Sequence, residues 1–142
     1  MFYSITTTWK WKVMVMNQIF LKAIEVGAGK EKLFEVLKDT VAHNSIEIDD
    51  RILNDVYLVA CKAYEGKRRY SGEEYVTHPL NVAILLAELG ADSDIVMAGL
   101  FCDVKTKGNN INLEKELHPC RREKVRFLPI YLWVYGAENL SD

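Results

Sequence analysis

Cysteine and proline are scarce in this chain, three of each among 142 residues. Cys61, Cys102 and Cys120 are odd in number and match neither a zinc-ribbon spacing nor a disulfide framework, so nothing in them asks for an oxidising compartment. A reducing cytoplasm is the expected location. Excess charge is lacking as well: the formal net charge is −2 and the isoelectric point is near 5.9. No global field draws the chain onto DNA or an anionic membrane, and any anion-binding surface has to be local. No apolar run is long enough to cross a bilayer. The stretch from Trp9 to Val15 is interrupted by Lys10 and Lys12 and is followed by no small-residue cleavage site, which makes it a poor signal peptide.

What the chain has in quantity is apolar side chains, 49% of all residues, enough to fill one core at this length. A single helical domain is expected over residues 16–142. Residues 1–15 form an extension that reads either as an exposed strand, from the alternation Trp9-Lys10-Trp11-Lys12, or as a leader ahead of a start at Met16.

Apolar residues recur at helical spacing almost throughout. Ile19, Phe20, Ala23 and Ile24, then Leu33, Phe34, Val36, Leu37 and Val41, predict two helices separated by Gly27-Ala28-Gly29. Asp49 and Asp50 are capping residues for a third helix ending near Gly66, with Ile52, Leu53, Val56, Leu58, Val59, Cys61, Ala63 and Tyr64 on its buried face. The polar stretch Gly66 to Glu74, with Lys67, Arg68 and Arg69 in succession, reads as a loop. A fourth helix begins near Thr77, carries Pro79 in its first turn, buries Val82, Leu85, Leu86 and Leu89, and stops at Gly90. Asp92 or Ser93 caps a fifth, running from Ile95 to about Val104, and a short helix covers Leu113 to Leu117. The apolar run Val125 to Tyr135 is ambiguous between helix and strand, and its part from Phe127 to Tyr135 is the segment suited to bury itself against a second copy. The fold class that follows is all-α.

The segment Arg69-Tyr70-Ser71-Gly72-Glu73-Glu74-Tyr75-Val76-Thr77-His78-Pro79-Leu80-Asn81-Val82-Ala83 resembles the signature arginine-x-Ser-Gly-Glu-Pro-Tyr-x-x-His-Pro-x-x-Val-Ala of RelA/SpoT-type hydrolase domains. The helix Ile84 to Gly90 follows as it does there, and Ala98-Gly99-Leu100-Phe101-Cys102-Asp103-Val104 falls where that family has its His-Asp motif. The resemblance runs from about Ile52 to Leu117. It implies an HD-domain-like helical bundle that removes pyrophosphate from the 3′ position of guanosine tetra- or pentaphosphate, using Mn²⁺ held by histidines and aspartates. Such a reaction needs a metal to polarise the phosphate and generate hydroxide.

Carried over residue by residue, the match is uneven. His78 takes the place of the first metal-ligand histidine and Asp103 that of the aspartate of the His-Asp pair, whereas Cys102 replaces the pair's histidine. Thr106 and Lys107 stand where the family has the acidic Glu-Asp pair that positions the attacking water. The family's later aspartate ligand has no counterpart, as if the domain were truncated. Arg69 matches an arginine that packs on the guanine base; Tyr70 replaces a lysine and Glu74 a proline. The resulting expectation is a degenerate hydrolase-like domain that retains binding of a guanine nucleotide or a protein partner. The alternative is an active divergent pyrophosphohydrolase, with its missing acid drawn from Glu114, Glu116, Asp142 or a second subunit.

Each candidate also has a plainer reading. His78 with Asp103, and Cys102 as a possible third ligand favouring a softer ion than Mn²⁺, stand against a hydrogen-bonded helix start and a small buried thiol. Arg69, with Lys67 and Arg68 as phosphate partners, stands against a solvated charge run. His43 and His118 read as surface or capping residues, and Arg121, Arg122 and Lys124 as a solvated patch.

Overall fold

The three- and four-residue spacing of Leu33, Phe34, Leu37 and Val41 closes one helix face, and these residues are buried along α1, Lys30–His43. The structure is a computed structural model and describes residues 29–117. The helix expected ahead of Gly27, the Trp9 to Val15 segment, the 125–135 run, His118 and Cys120 lie outside the described residues.

Helix α2, Asp50–Ala63, starts where the Asp49 carboxylate accepts from the Arg51 backbone N–H at 2.8 Å. Leu53, Val56, Tyr57, Ala60 and Ala63 form its buried face. Leu58, expected on that face, is instead 55% exposed, because at 3.6 residues per turn it falls on the far side from Leu53, Val56 and Ala60. Helix α3, Thr77–Glu88, begins and ends close to the expected places, but its buried stripe is Leu80, Ala83, Ile84 and Ala87. Of the residues expected there, Leu86 only flanks the core and Leu89 is exposed. The helix is apolar nearly all round, so close neighbours select the side with two alanines.

Helix α4, Ser93–Gly99, is capped by Asp92, whose carboxylate accepts from the Ile95 N–H at 3.1 Å. The helix expected to continue to Val104 stops early. Leu100, Phe101 and Cys102 N–H groups donate to carbonyls three residues back, at Met97, Ala98 and Gly99, and tighten the chain into a turn. Asp103 then leaves helical geometry with φ −116° and ψ 18° before the one-turn helix α5, Val104–Lys107. Helix α6, Leu113–Glu116, is capped by the Asn112 side chain, which accepts from the Lys115 N–H at 3.0 Å.

Helix α1 packs on α3, and α3 on α4. Phe101, Leu33, Leu37, Leu53, Leu80 and Leu100 are the largest fully buried apolar side chains of the core. Two asparagines hold helix ends across the bundle. Asn44, just after α1, donates through Nδ2 to the Ala87 carbonyl of α3 at 3.1 Å. Asn109 donates its N–H to the Ala63 carbonyl at 2.7 Å and Nδ2 to the Glu65 carbonyl at 2.9 Å, satisfying acceptors that the end of α2 leaves open. The described residues form an all-α fold whose β structure is limited to one bridge between Arg68 and Glu74.

Two stability effects follow. A Cβ on Gly108 would sit 2.5 Å from the Val104 carbonyl oxygen and 3.2 Å from that of Ala63, backbone atoms that cannot swing aside. Gly108→Ala is therefore expected to cost about 1–3 kcal/mol in urea unfolding. Tyr57 stacks on Phe34 with ring centroids 3.9 Å apart, and burial, followed by the adjacent Cys61, pushes its phenol above the usual range. The fold thus favours the neutral phenol, and this contribution is complete below the ordinary pKa of 10 and lost as pH rises above it. Tyr57→Phe is expected to flatten the alkaline limb of a stability-versus-pH profile relative to the parent chain.

Candidate functional site

The first turn of α3 and the turn between α4 and α5 carry the candidate residues. The first is built by Thr77, whose Oγ1 donates to the Glu74 carbonyl at 2.8 Å, and by the His78 N–H, which donates to the Tyr75 carbonyl at 3.0 Å. Three residues apart on a helical turn, Tyr75 and His78 are neighbours, with rings 5.9 Å apart and nearly edge-on. The second turn is brought close by Gly99. A Cβ there would lie 2.8 Å from Leu86 Cδ1 and 3.3 Å from Ala83 Cα, so a bare backbone lets the end of α4 rest on α3.

From Gly99 the chain runs back along α3 towards its start. Asp103 Oδ2 comes within 3.1 Å of His78 Nε2. Cys102 joins them: His78, Cys102 and Asp103, all half-buried, each offer one donor atom within 4.8 Å of the others. These three candidates, set 24 and 25 positions apart in sequence, form one cluster. Among the described residues no other histidine, cysteine or carboxylate joins it.

Two tyrosines that sequence reasoning did not single out hold this cluster. Tyr75 Oη donates to Asp103 Oδ2 at 2.8 Å, and the Asp103 backbone N–H donates to Tyr64 Oη at 3.3 Å. Tyr64 and Tyr75 stack with centroids 5.6 Å apart. Burial first, and then the hydrogen bond to the Asp103 carboxylate, pushes the Tyr75 phenol up to about 12 and keeps it a donor at neutral pH. Burial and the nearby Asp103 charge push the Cys102 thiol up to about 11. Without a cation its sulfur is therefore protonated at neutral pH. The sequence signal for Tyr75 was its position three residues ahead of His78; Tyr64 carried none beyond its place on a buried face.

Arg69 lies in the loop between α2 and α3. Its N–H donates to the Glu73 carbonyl at 2.9 Å, while Tyr75 N–H donates to the Lys67 carbonyl at 2.9 Å, so the loop closes as a small hairpin. The Arg69 guanidinium is exposed, 3.7 Å from the Glu73 carboxylate, and near enough to Tyr75 to oppose the rise of its phenol. Arg68 folds back instead, donating through Nη1 to the Gly72 carbonyl at 2.7 Å. Tyr70 is fully exposed beside them. Thr106 and Lys107 are exposed on α5, directly after Asp103. Glu116, one of the alternative acids, is paired with Lys62 at 2.8 Å. His43 lies in the last turn of α1.

The pairing of Tyr75 with Asp103 is measurable. A double-mutant cycle of Tyr75→Phe and Asp103→Asn is expected to give a coupling of about 1 kcal/mol in urea unfolding, because the hydrogen bond reaches a half-buried carboxylate. A coupling indistinguishable from zero would show that the bond does not form in solution.

Comparison with known proteins bears on the family of this region. Residues 57–119 match the family model of the HD domain. The chain is 44% identical over 72 residues to the bifunctional (p)ppGpp synthase/hydrolase SpoT of Escherichia coli, an alignment that covers 51% of this chain and 10% of that protein. It is 44% identical over 71 residues to the bifunctional (p)ppGpp synthase/hydrolase RelA of Mycobacterium tuberculosis, covering 48% of this chain and 10% of that one. A GTP pyrophosphokinase of Streptomyces antibioticus is 35% identical over 94 residues, 61% of this chain and 11% of the relative. The chain thus spans about a tenth of the length of these relatives. No solved structure matches it. Over residues 57–119 the helical chain is thus similar to the HD domain, and its alignments to the RelA/SpoT-type relatives are consistent with a RelA/SpoT-type HD domain there.

Proposed function

We propose that this domain binds a guanosine polyphosphate and does not hydrolyse it. The observation that supports the reading most is a retained scaffold with altered chemistry. His78, Asp103 and Arg69 stand where the resemblance expects them, whereas position 102 is cysteine and positions 106 and 107 are threonine and lysine. Orienting and deprotonating an attacking water from these positions needs a hydrogen-bond acceptor, and an ammonium group only donates hydrogen bonds. Lys107 cannot replace the acid it displaces.

The same exchange favours binding. It places Lys107 on α5, the helix that follows Asp103, and Arg69 lies on the loop beside Tyr75, so both segments bordering the cluster carry a cation. A planar guanidinium stacks on a purine, and an ammonium pairs with phosphate. The Arg69–Glu73 ion pair is exposed at both ends, so releasing Arg69 to a ligand costs little. The free thiols of Cys61 and Cys102 suit a reducing cytoplasm. No helix among the described residues is long and apolar enough to cross a membrane.

Calorimetric titration with guanosine tetraphosphate, run beside an assay for released pyrophosphate in Mn²⁺, tests the reading. Saturable binding with no pyrophosphate release is expected. Arg69→Ala is expected to weaken binding about tenfold, or about 1.4 kcal/mol. Pyrophosphate release by the parent chain would overturn the reading in favour of an active, divergent guanosine polyphosphate 3′-pyrophosphohydrolase, and absence of binding would remove the nucleotide from the account.

A further inference from the structure

We infer that His78, Cys102 and Asp103 form a mixed nitrogen, sulfur and oxygen site for a borderline-soft divalent cation, Zn²⁺ or Co²⁺, in preference to the Mn²⁺ that the resemblance implies. The inference goes beyond the proposed function and rests on the clustering of the three residues; it does not require that a nucleotide binds.

The geometry supports a shared cation. His78 Nε2 and Asp103 Oδ2 are 3.1 Å apart. Two nitrogen or oxygen ligands of one tetrahedral zinc stand about 3.3 Å apart, so this pair needs almost no movement. All three donors already lie within 4.8 Å of one another. Bringing the cysteine sulfur into range is a shift of roughly 1 Å, within the reach of side-chain torsions. Tyr75 Oη holds the Asp103 carboxylate at 2.8 Å, so one ligand is oriented by the protein before a cation arrives.

The donor types then select the ion. Mn²⁺ favours sets rich in carboxylate, carbonyl and water oxygen, while a thiolate shifts preference towards zinc and cobalt. The described residues offer no further carboxylate that would complete an oxygen-rich shell around this cluster. Three protein ligands with one position left open is an arrangement typical of zinc, and the open position would accept a phosphate oxygen. The replacement of histidine by Cys102 thus changes which metal the site takes rather than simply deleting a ligand.

The test is a cobalt titration of the intact chain without nucleotide, followed by absorption. One equivalent of Co²⁺ is expected to produce a near-ultraviolet sulfur-to-cobalt charge-transfer band, which Zn²⁺ abolishes at equimolar concentration and a roughly hundredfold excess of Mn²⁺ leaves in place. Cys102→Ser should remove the band and His78→Ala should shift or weaken it, whereas Cys61→Ser and Cys120→Ser should leave it unchanged; circular dichroism checks that each variant remains helical. No band in the parent chain, a band that survives Cys102→Ser, or displacement by equimolar Mn²⁺ would each overturn the inference. Those results would leave nucleotide binding untouched, just as failure of nucleotide binding would leave the cobalt band standing.

Discussion

The close approach of the end of α4 to α3 is the constraint on which the site depends. Gly99 rests on Ala83 and Leu86, where even a single added carbon would meet Leu86 at 2.8 Å. Because the chain then runs back along α3, this contact sets how far Asp103 stands from His78. The tight turn after Gly99, made of N–H groups donating three residues back, turns Cys102 and Asp103 towards the start of α3 instead of carrying them onward along a longer α4. Phe101 and Leu100, both fully buried, fix the turn in the core. Packing and site geometry are in this way one arrangement.

On that frame the chemistry is decided by a few side chains. Asp103 is its hub: its carboxylate accepts from Tyr75 and lies beside His78, and its backbone N–H donates to Tyr64. None of these contacts needs the histidine that Cys102 replaces, so the hub survives the replacement. Against the signature that the sequence resembles, a thiol, a hydroxyl and an ammonium stand in place of imidazole and carboxylates at positions 102, 106 and 107. On the proposed reading this donor set suits binding better than hydrolysis, since binding needs position and charge whereas hydrolysis also needs a base.

Much of this was legible in the sequence. The extents of α1, α2 and α3 follow from apolar spacing, from Asp49 as a cap and from Pro79 in a first turn, and the loop with Arg69 follows from its glycines and charges. The errors were about faces and continuity. Leu58 and Leu89 are apolar yet exposed, Leu58 because the helical period carries it to the far side of α2 and Leu89 because it follows the last residue of α3. The end of α4 at Gly99 was missed because the apolar pattern continues through Leu100 and Phe101, and a turn buries those residues as well as a helix does. His78, Cys102 and Asp103 were named from a motif, but their convergence is a tertiary fact that spacing of 24 and 25 residues cannot supply. Tyr75 and Tyr64 were overlooked for the opposite reason: as aromatic residues near a core they needed no function to account for them.

The claim that these three side chains act as one centre is tested most directly by X-ray absorption at the zinc edge of zinc-loaded protein. The account predicts one sulfur scatterer at about 2.3 Å together with nitrogen and oxygen at about 2.0 Å. A shell of nitrogen and oxygen alone would contradict it, because it would mean that Cys102 stays a half-buried thiol outside the metal's shell.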